Sequence, residues 1–186
     1  HLSIRRQRQM CIRDSIMIYD PNTQKAAALA QEVQSLAGSD CECSAEKDAR
    51  ELPPASDIII TATTSHTPVV EGRSVKEGTH INAIGSYKAH VREVDDVAIR
   101  RSLIFVDSYQ HALKEAGDLI IPLKSGIISK SDIRGELGEL VLGRKPGREW
   151  PDDITFFKCV GIAIQDIAVA EVVYRKACDQ GIGLVV

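Results

Sequence analysis

The run Asp57-Ile58-Ile59-Ile60-Thr61-Ala62-Thr63 constrains the fold of this chain more than any other stretch. A continuous apolar run without polar alternation fits a strand covered on both faces, and such strands belong to parallel sheets flanked by helices. Pro53-Pro54 breaks the chain just ahead of it. Shorter runs of the same kind recur at Ile16–Tyr19, His80–Ile84, Leu103–Val106 and Thr155–Val160, with a weaker candidate at Cys41–Ser44. Helical stretches lie between them. Ala26, Leu29, Ala30, Val33 and Leu36 recur at steps of three and four within Thr23–Leu36, which is helix periodicity. Asp95–Arg101 and Ser108–Ala116 read as further helices, the latter stopped by Gly117. Pro122–Trp150 is glycine-rich and less regular, with one short helix expected near Glu136–Leu142. An amphipathic helix from Gly161 to Ala177, with Ile164, Ile167, Ala168, Val172 and Ala177 among its apolar positions, closes the series. Strands alternating with helices through short turns indicate an α/β, doubly wound parallel sheet.

Composition narrows the class. The 186 residues are 44% hydrophobic and 26% charged, enough for a packed core. With 23 Lys+Arg against 26 Asp+Glu, the net charge of −3 argues against a nucleic-acid backbone or an anionic membrane surface as the main partner. The odd, scattered cysteines Cys11, Cys41, Cys43, Cys159 and Cys178 offer no ligand spacing for zinc, so no metal is expected and a cytoplasmic chain with reduced thiols is. The segment His1–Ser15 is set apart: it is basic, through Arg5, Arg6, Arg8 and Arg13, and ends abruptly at the first apolar run. Met10-Cys11-Ile12-Arg13-Asp14 resembles translated adapter sequence, and residues 1–15 are read as a non-native leader.

Ligands of doubly wound sheets sit outside the carboxyl ends of the strands, which singles out Asp20, the turn at Thr61–Thr64, Asn82–Gly85 and the turn at Cys159–Gly161. A carboxylate at Asp20 can accept hydrogen bonds from the adenine-ribose hydroxyls of NAD and would repel the 2′-phosphate of NADP. An N-cap of the following helix is an equal reading of the same position. The glycine fingerprint expected one βα unit earlier is absent: no glycine lies between Leu2 and Asp14. Other near-motifs carry little. Gly138–Lys145 has phosphate-loop glycine spacing but Arg144 where the lysine belongs. Ser65-His66 is half of a nucleophile–base pair in a polar turn, more simply a solvated loop. Asp95-Asp96 and Asp152-Asp153 each stand where a helix or strand begins and suit N-capping or plain solvation better than metal binding. Glu115 and Asp118, on either side of Gly117, either face a cleft or serve as helix-end charges.

Several segments in one order carry a resemblance: Thr61-Ala62-Thr63-Thr64-Ser65-His66-Thr67-Pro68, Gly78–Ser86, Arg92–Asp96, Val106–Ser108, Glu115–Leu119, Gly135–Glu139, Lys145–Arg148 and Phe157–Gly161. Together they resemble the ornithine cyclodeaminase/mu-crystallin family from about Ile16 to Ala177. The resemblance implies an NAD(P)-dependent protein with a Rossmann domain and a separate substrate and dimerisation domain. On this comparison residues 16–150 are a Rossmann domain lacking its first βα unit, and residues 151–186 a strand and a helix that returns to the second domain, itself absent here. The family's substrate-binding arginine and catalytic lysine fall in the absent part, so no catalytic residue is assigned. The implied cofactor positions are Asp20, Asn22, Thr63, Thr64, Asn82, Ala83, Ile84, Gly85 and Cys159, with Tyr87, Val160 and Gly161 bordering the substrate.

One departure bears on the reaction. Ornithine cyclodeaminases proper carry an aspartate at the position of Tyr87, and without it that cycle loses an acid/base group. The resemblance therefore implies reduction of a cyclic or acyclic imino acid, or dehydrogenation of an amino acid such as alanine, by hydride transfer with NAD, NADP being possible. The partners implied are a small amino or imino acid and a second copy of the full-length protein. Ornithine cyclodeamination and non-catalytic binding of dinucleotide with a small ligand are the alternatives. The chain by itself is expected to be inactive and to expose apolar surface along its last helix.

Overall fold

Parallel strands cannot be joined by tight hairpins, so each must be followed by a crossover that returns the chain to the same end. The computed structural model describes residues 15–37 and 41–183 and shows this arrangement in two units, residues 1–56 and 57–186. The leader reading falls almost wholly on residues 1–14, outside the described residues.

In the first unit β1 (Ser15–Ile18) and β2 (Glu42–Ala45) pair in parallel across helix α1 (Thr23–Ala37). Ala26 and Ala30 are the buried positions of that helix. The side chain that caps it is Asn22, whose Oδ1 accepts from the N–H groups of Gln24 (3.1 Å) and Lys25 (3.2 Å). Asp20 therefore does not take the capping role; its Oδ1 accepts from the Asn22 N–H at 2.7 Å and tightens the turn. A single 3-10 turn (Ala49–Glu51) and the short α2 (Leu52–Ala55), opened by its prolines, close the unit.

The second unit is a five-stranded, all-parallel sheet in the order β3 (Ile58–Thr61), β4 (His80–Ala83), β7 (Ile154–Lys158), β5 (Ser102–Val106), β6 (Ile133–Glu136). The last strand in sequence thus lies at the centre. One face carries the core, with Ile59, Ile81, Ile104, Val106 and Phe156 packed against Ile99 and Leu119. The register aligns Ile59, Ile81, Phe156 and Ile104 in one row and Thr61, Ala83, Lys158 and Val106 in the next along the same face. On the opposite face Ile58 and Ile60 are 60% and 64% exposed, so the expected cover on both sides of this run is not present among the described residues.

The remaining helices are α3 (Asp96–Arg101), α4 (Tyr109–Glu115), α5 (Gly117–Lys124), α6 (Leu137–Val141) and α7 (Ala163–Gln180). Asp95 caps α3, its Oδ1 accepting from Ala98 N–H at 2.7 Å and from Gly72 N–H at 3.1 Å. Asp153 Oδ2 accepts from the Glu149 and Trp150 N–H groups, so both aspartate pairs contribute to turns and caps. Gly117 does not end the helical region: the chain bends at Ala116 and Gly117 opens α5. A Cβ at Gly117 would lie 2.0 Å from the Val91 carbonyl oxygen and 2.7 Å from that of Lys88, so two backbone segments meet there only because the side chain is missing. Strand β6 has no apolar run to announce it. Arg134 and Gly135 interrupt the pattern, and the register shifts between Ile104 and Phe105 to accept it. Helix α7 has no buried residue, and Ile164, Ile167 and Val172 are exposed. It begins at Ala163 and ends where Gly181 takes a φ of 64°.

At the amino ends of the strands, His80 Nδ1 lies 2.7 Å from Thr155 Oγ1, which also accepts from Arg148 Nη2 at 3.2 Å. A hydroxyl that donates to an unprotonated Nδ1 and accepts from arginine satisfies all three groups. Burial, reinforced by the positive charge of Arg148, pushes the imidazole below its ordinary value. The unfolded chain then binds the extra proton, so this contribution to stability is present above the unfolded value and lost as pH falls through the folded one. Urea titrations of H80Q should show a shallower loss of unfolding free energy than the parent between about pH 7.5 and 5; equal slopes would contradict the assignment. In the same assay G117A should lose about 2 kcal/mol or more. G138A, in α6 with open space at its Cβ position, should lose nothing and gain up to about 1 kcal/mol.

Candidate functional site

The carboxyl edge of the five-stranded sheet brings three sequence-expected segments together. Beyond β3 run Ala62, Thr63 and Thr64; beyond β4 run Ile84, Gly85, Ser86 and Tyr87; beyond β7 run Cys159, Val160 and Gly161. Buried carboxylates fasten them. Glu93 is fully buried, its Oε1 accepting from Thr63 N–H at 2.6 Å and its Oε2 from the N–H groups of Gly85 (2.9 Å) and Ser86 (3.0 Å). Backbone amides converging at strand ends form an anion nest, and here a side chain of the chain itself fills it. A Cβ on Gly85 would stand 2.3 Å from Thr63 N and 2.4 Å from Glu93 Oε1, so glycine is what lets the two loops close over that carboxylate.

Asp107, at the end of β5, does the same on the other side. Its Oδ2 accepts from the N–H groups of Val160 (2.8 Å) and Gly161 (3.0 Å), and its Oδ1 from Ser108 N–H. Gly161 takes a φ of 83° in this turn, a conformation that favours glycine. Cys159 N–H donates to the Ala83 carbonyl at 3.2 Å, which ties the β4 and β7 ends directly. Burial pushes the Cys159 thiol up, with Asp107 adding to the shift and the Gly161 amide opposing it. The sulfur at this edge is therefore a neutral thiol.

Below these loops lies a fully buried charge pair. Lys158 Nζ is 2.9 Å from Asp118 Oδ2, a pair whose angles fall outside hydrogen-bond geometry. Asp118 Oδ1 accepts from the N–H groups of Glu93 (2.7 Å) and Val94 (3.2 Å). Asp118 therefore does not face a cleft; it stands in the first turn of α5 as a helix-end charge, fully buried, and braces the segment that presents Glu93. Glu93, Asp107 and Lys158 were not singled out by the sequence. For Lys158 a signal exists: in Thr155–Cys159 it stands two residues after Phe156, on the inward parity of a strand, where a lysine needs a buried partner. Glu93 and Asp107 give no such signal.

The other sequence-level sites separate cleanly. Ser65 Oγ donates to the Thr67 carbonyl, and His66 packs edge-on against His90 with ring centres 6.4 Å apart, so Ser65 and His66 form no nucleophile–base pair. Tyr87 is exposed with the Lys88 ammonium over its ring. Asn82 shares a sheet row with Ile60 and Phe157, and its Oδ1 is buried without a hydrogen-bond partner among the described residues. Asp20 stands two residues beyond the end of β1 in the first unit, and only its Oδ1 is engaged among the described residues. No group of three or more potential metal ligands occurs among the described residues, and no helix there is long and apolar enough to cross a membrane. Concavities of about 420 and 500 Å3 adjoin the starts of β5 at Leu103 and of β6 at Arg134, away from this edge.

Conservative replacement tests the Asp107 fastening. In D107N an amide NH2 faces at least one backbone N–H, so unfolding by denaturant should show a loss of about 1–3 kcal/mol. An unchanged midpoint would mean that the Val160–Gly161 turn holds itself.

Comparison with known proteins follows the same outline. Residues 2–181 match the profile of the ornithine cyclodeaminase/mu-crystallin family. A Delta(1)-pyrroline-2-carboxylate reductase of Bacillus cereus is 39% identical over 171 residues, 91% of this chain and 52% of the relative. Among solved structures, that of Thermococcus litoralis Delta(1)-pyrroline-2-carboxylate reductase with NADH and L-proline is 42% identical. It superposes with a TM-score of 0.89 over 93% of this chain and 53% of its own. An archaeal alanine dehydrogenase dimer with bound NAD is 32% identical, with a TM-score of 0.83 over 98% and 55% of the two chains. The chain spans about half the length of the relatives it matches.

Proposed function

Because the chain belongs to the ornithine cyclodeaminase/mu-crystallin family, we propose that the full-length protein is a nicotinamide-dinucleotide oxidoreductase acting at the C–N bond of a small amino or imino acid. A cyclic imino acid of the pyrroline-2-carboxylate type is the substrate class. The observation that carries this reading is the 42% identity over 93% of the chain to a reductase whose structure holds NADH and L-proline. Tyr87 supports it, standing where the resemblance implies an aspartate for cyclodeamination. The alanine dehydrogenase likeness supports the same C–N chemistry on an open-chain substrate and makes that the second reading.

The residues of the carboxyl edge fit the dinucleotide. Asn82 keeps a buried, unpartnered acceptor among the described residues, which a ligand donor can satisfy. On this reading Asp20 and Asn22 would hold the adenine ribose. Thr63 and Thr64, the stretch Asn82–Gly85 and Cys159 would line the dinucleotide, with Tyr87, Val160 and Gly161 beside the substrate. When bound, the dinucleotide supplies the hydride for the imine carbon. The neutral Cys159 thiol adds no charge beside it, and the amides of Thr63, Gly85, Val160 and Gly161, engaged by Glu93 and Asp107, fix the walls without offering a competing anion site. Asp20, with Pro21 and Asn22 after it rather than an arginine, favours NAD over NADP. A homodimer of the full-length protein is supported by the dimeric alanine dehydrogenase.

The full-length protein should oxidise NADH in the presence of Delta(1)-pyrroline-2-carboxylate, with a higher kcat/KM for NADH than for NADPH. D20A should narrow that preference by about tenfold. Ammonia release from ornithine without net NADH oxidation would replace this reading with cyclodeamination. Tight NADH binding without turnover on either imino or amino acids would replace it with a non-catalytic binder.

A further inference from the structure

We propose that Glu93 is a positioning residue of the dinucleotide site, setting the spacing of the β3 and β4 loops without touching the ligand, and that the buried Lys158–Asp118 pair holds Glu93 in place. The inference rests on the dinucleotide reading above. Its geometry is independent of that reading.

Thr63 and Gly85 head two loops from adjacent strands, and a single carboxylate bridges them through separate oxygens. Each oxygen accepts along its own direction, so the carboxylate fixes the gap between loops as well as their attachment. Glu93 needs a fixed backbone to do this. Its N–H and that of Val94 both donate to Asp118 Oδ1, while Asp118 Oδ2 meets the ammonium of Lys158. All three charged side chains are fully buried, where solvent cannot substitute for a missing partner. Lys158 lies on β7, immediately before Cys159, Val160 and Gly161. The same chain of contacts therefore links the β7 turn to the β3 and β4 loops from below.

The test is E93Q in the full-length protein, read in two ways. Without ligand, hydrogen–deuterium exchange at Thr63, Gly85 and Ser86 should quicken while the β5 amides stay protected. With ligand, fluorescence titration should show NADH binding weakened by about tenfold or more. Faster exchange with NADH bound as tightly as in the parent overturns the proposal and leaves Glu93 a purely structural group. A parent protein that binds no NADH overturns the dinucleotide reading instead, and the exchange result then still decides whether the clamp exists. Where E93Q does not fold, K158M against the double variant K158M/D118N decides. The amide introduced by D118N would keep the acceptor for Glu93 and Val94 while removing the stranded charge, so the double variant should recover both folding and NADH binding relative to K158M. Recovery of folding without binding overturns the proposal.

Discussion

A buried carboxylate that accepts three backbone N–H groups is the constraint on which the functional edge depends. Glu93 takes its bonds from Thr63, Gly85 and Ser86, donors left over where two parallel strands end. Parallel sheets concentrate unpaired amides at their carboxyl edge, and each needs a partner once water is excluded. Here the partners are side chains of the fold itself, Glu93 on one side and Asp107 on the other. The loops are therefore ordered before any ligand arrives, and less ordering cost remains to be met on binding.

The charge that makes this possible has to be managed. Glu93 and Asp118 bring two carboxylates into the interior, and Lys158 brings one ammonium. Breaking such a buried pair by removing one partner costs about 3–5 kcal/mol, whereas neutralising both can cost little. Amide donors disperse the remaining negative charge: three on Glu93 and two on Asp118. The glycines at 85 and 117 serve the same arrangement, since each lets backbone approach where a methyl group would collide with it. Gly85 closes the loops over Glu93. Gly117 seats the start of α5, and with it Asp118, against the Lys88–Val91 segment.

Among the described residues, apolar surface is uncovered on the Ile58/Ile60 face of β3 and along α7. Both are amphipathic or apolar stretches of the type that normally packs against other structure. Their exposure accords with a chain that spans about half the length of its relatives.

The α/β class, the parallel strands and the segments at their carboxyl ends were legible from the order of residues alone, because apolar runs, helix periodicity and turn residues act locally. The sequence also carried the family resemblance, through ordered motifs such as Thr61–Pro68 and Phe157–Gly161. It could not show β6, whose Ile-Arg-Gly-Glu lacks an apolar pattern and exists as a strand only because β5 offers it a register. Nor could it show that Gly117 begins a helix, a consequence of close backbone packing with a distant segment. Capping by Asn22 rather than Asp20 turned on a choice between two nearby oxygen-bearing side chains. The clamp was invisible for a different reason. Glu93, Asp118 and Lys158 are separated by 25 and 40 positions in the chain, and although strand parity marks Lys158 as inward, nothing local names its partner or marks Glu93 as buried. Only tertiary packing, by removing water from all three at once, made them depend on one another.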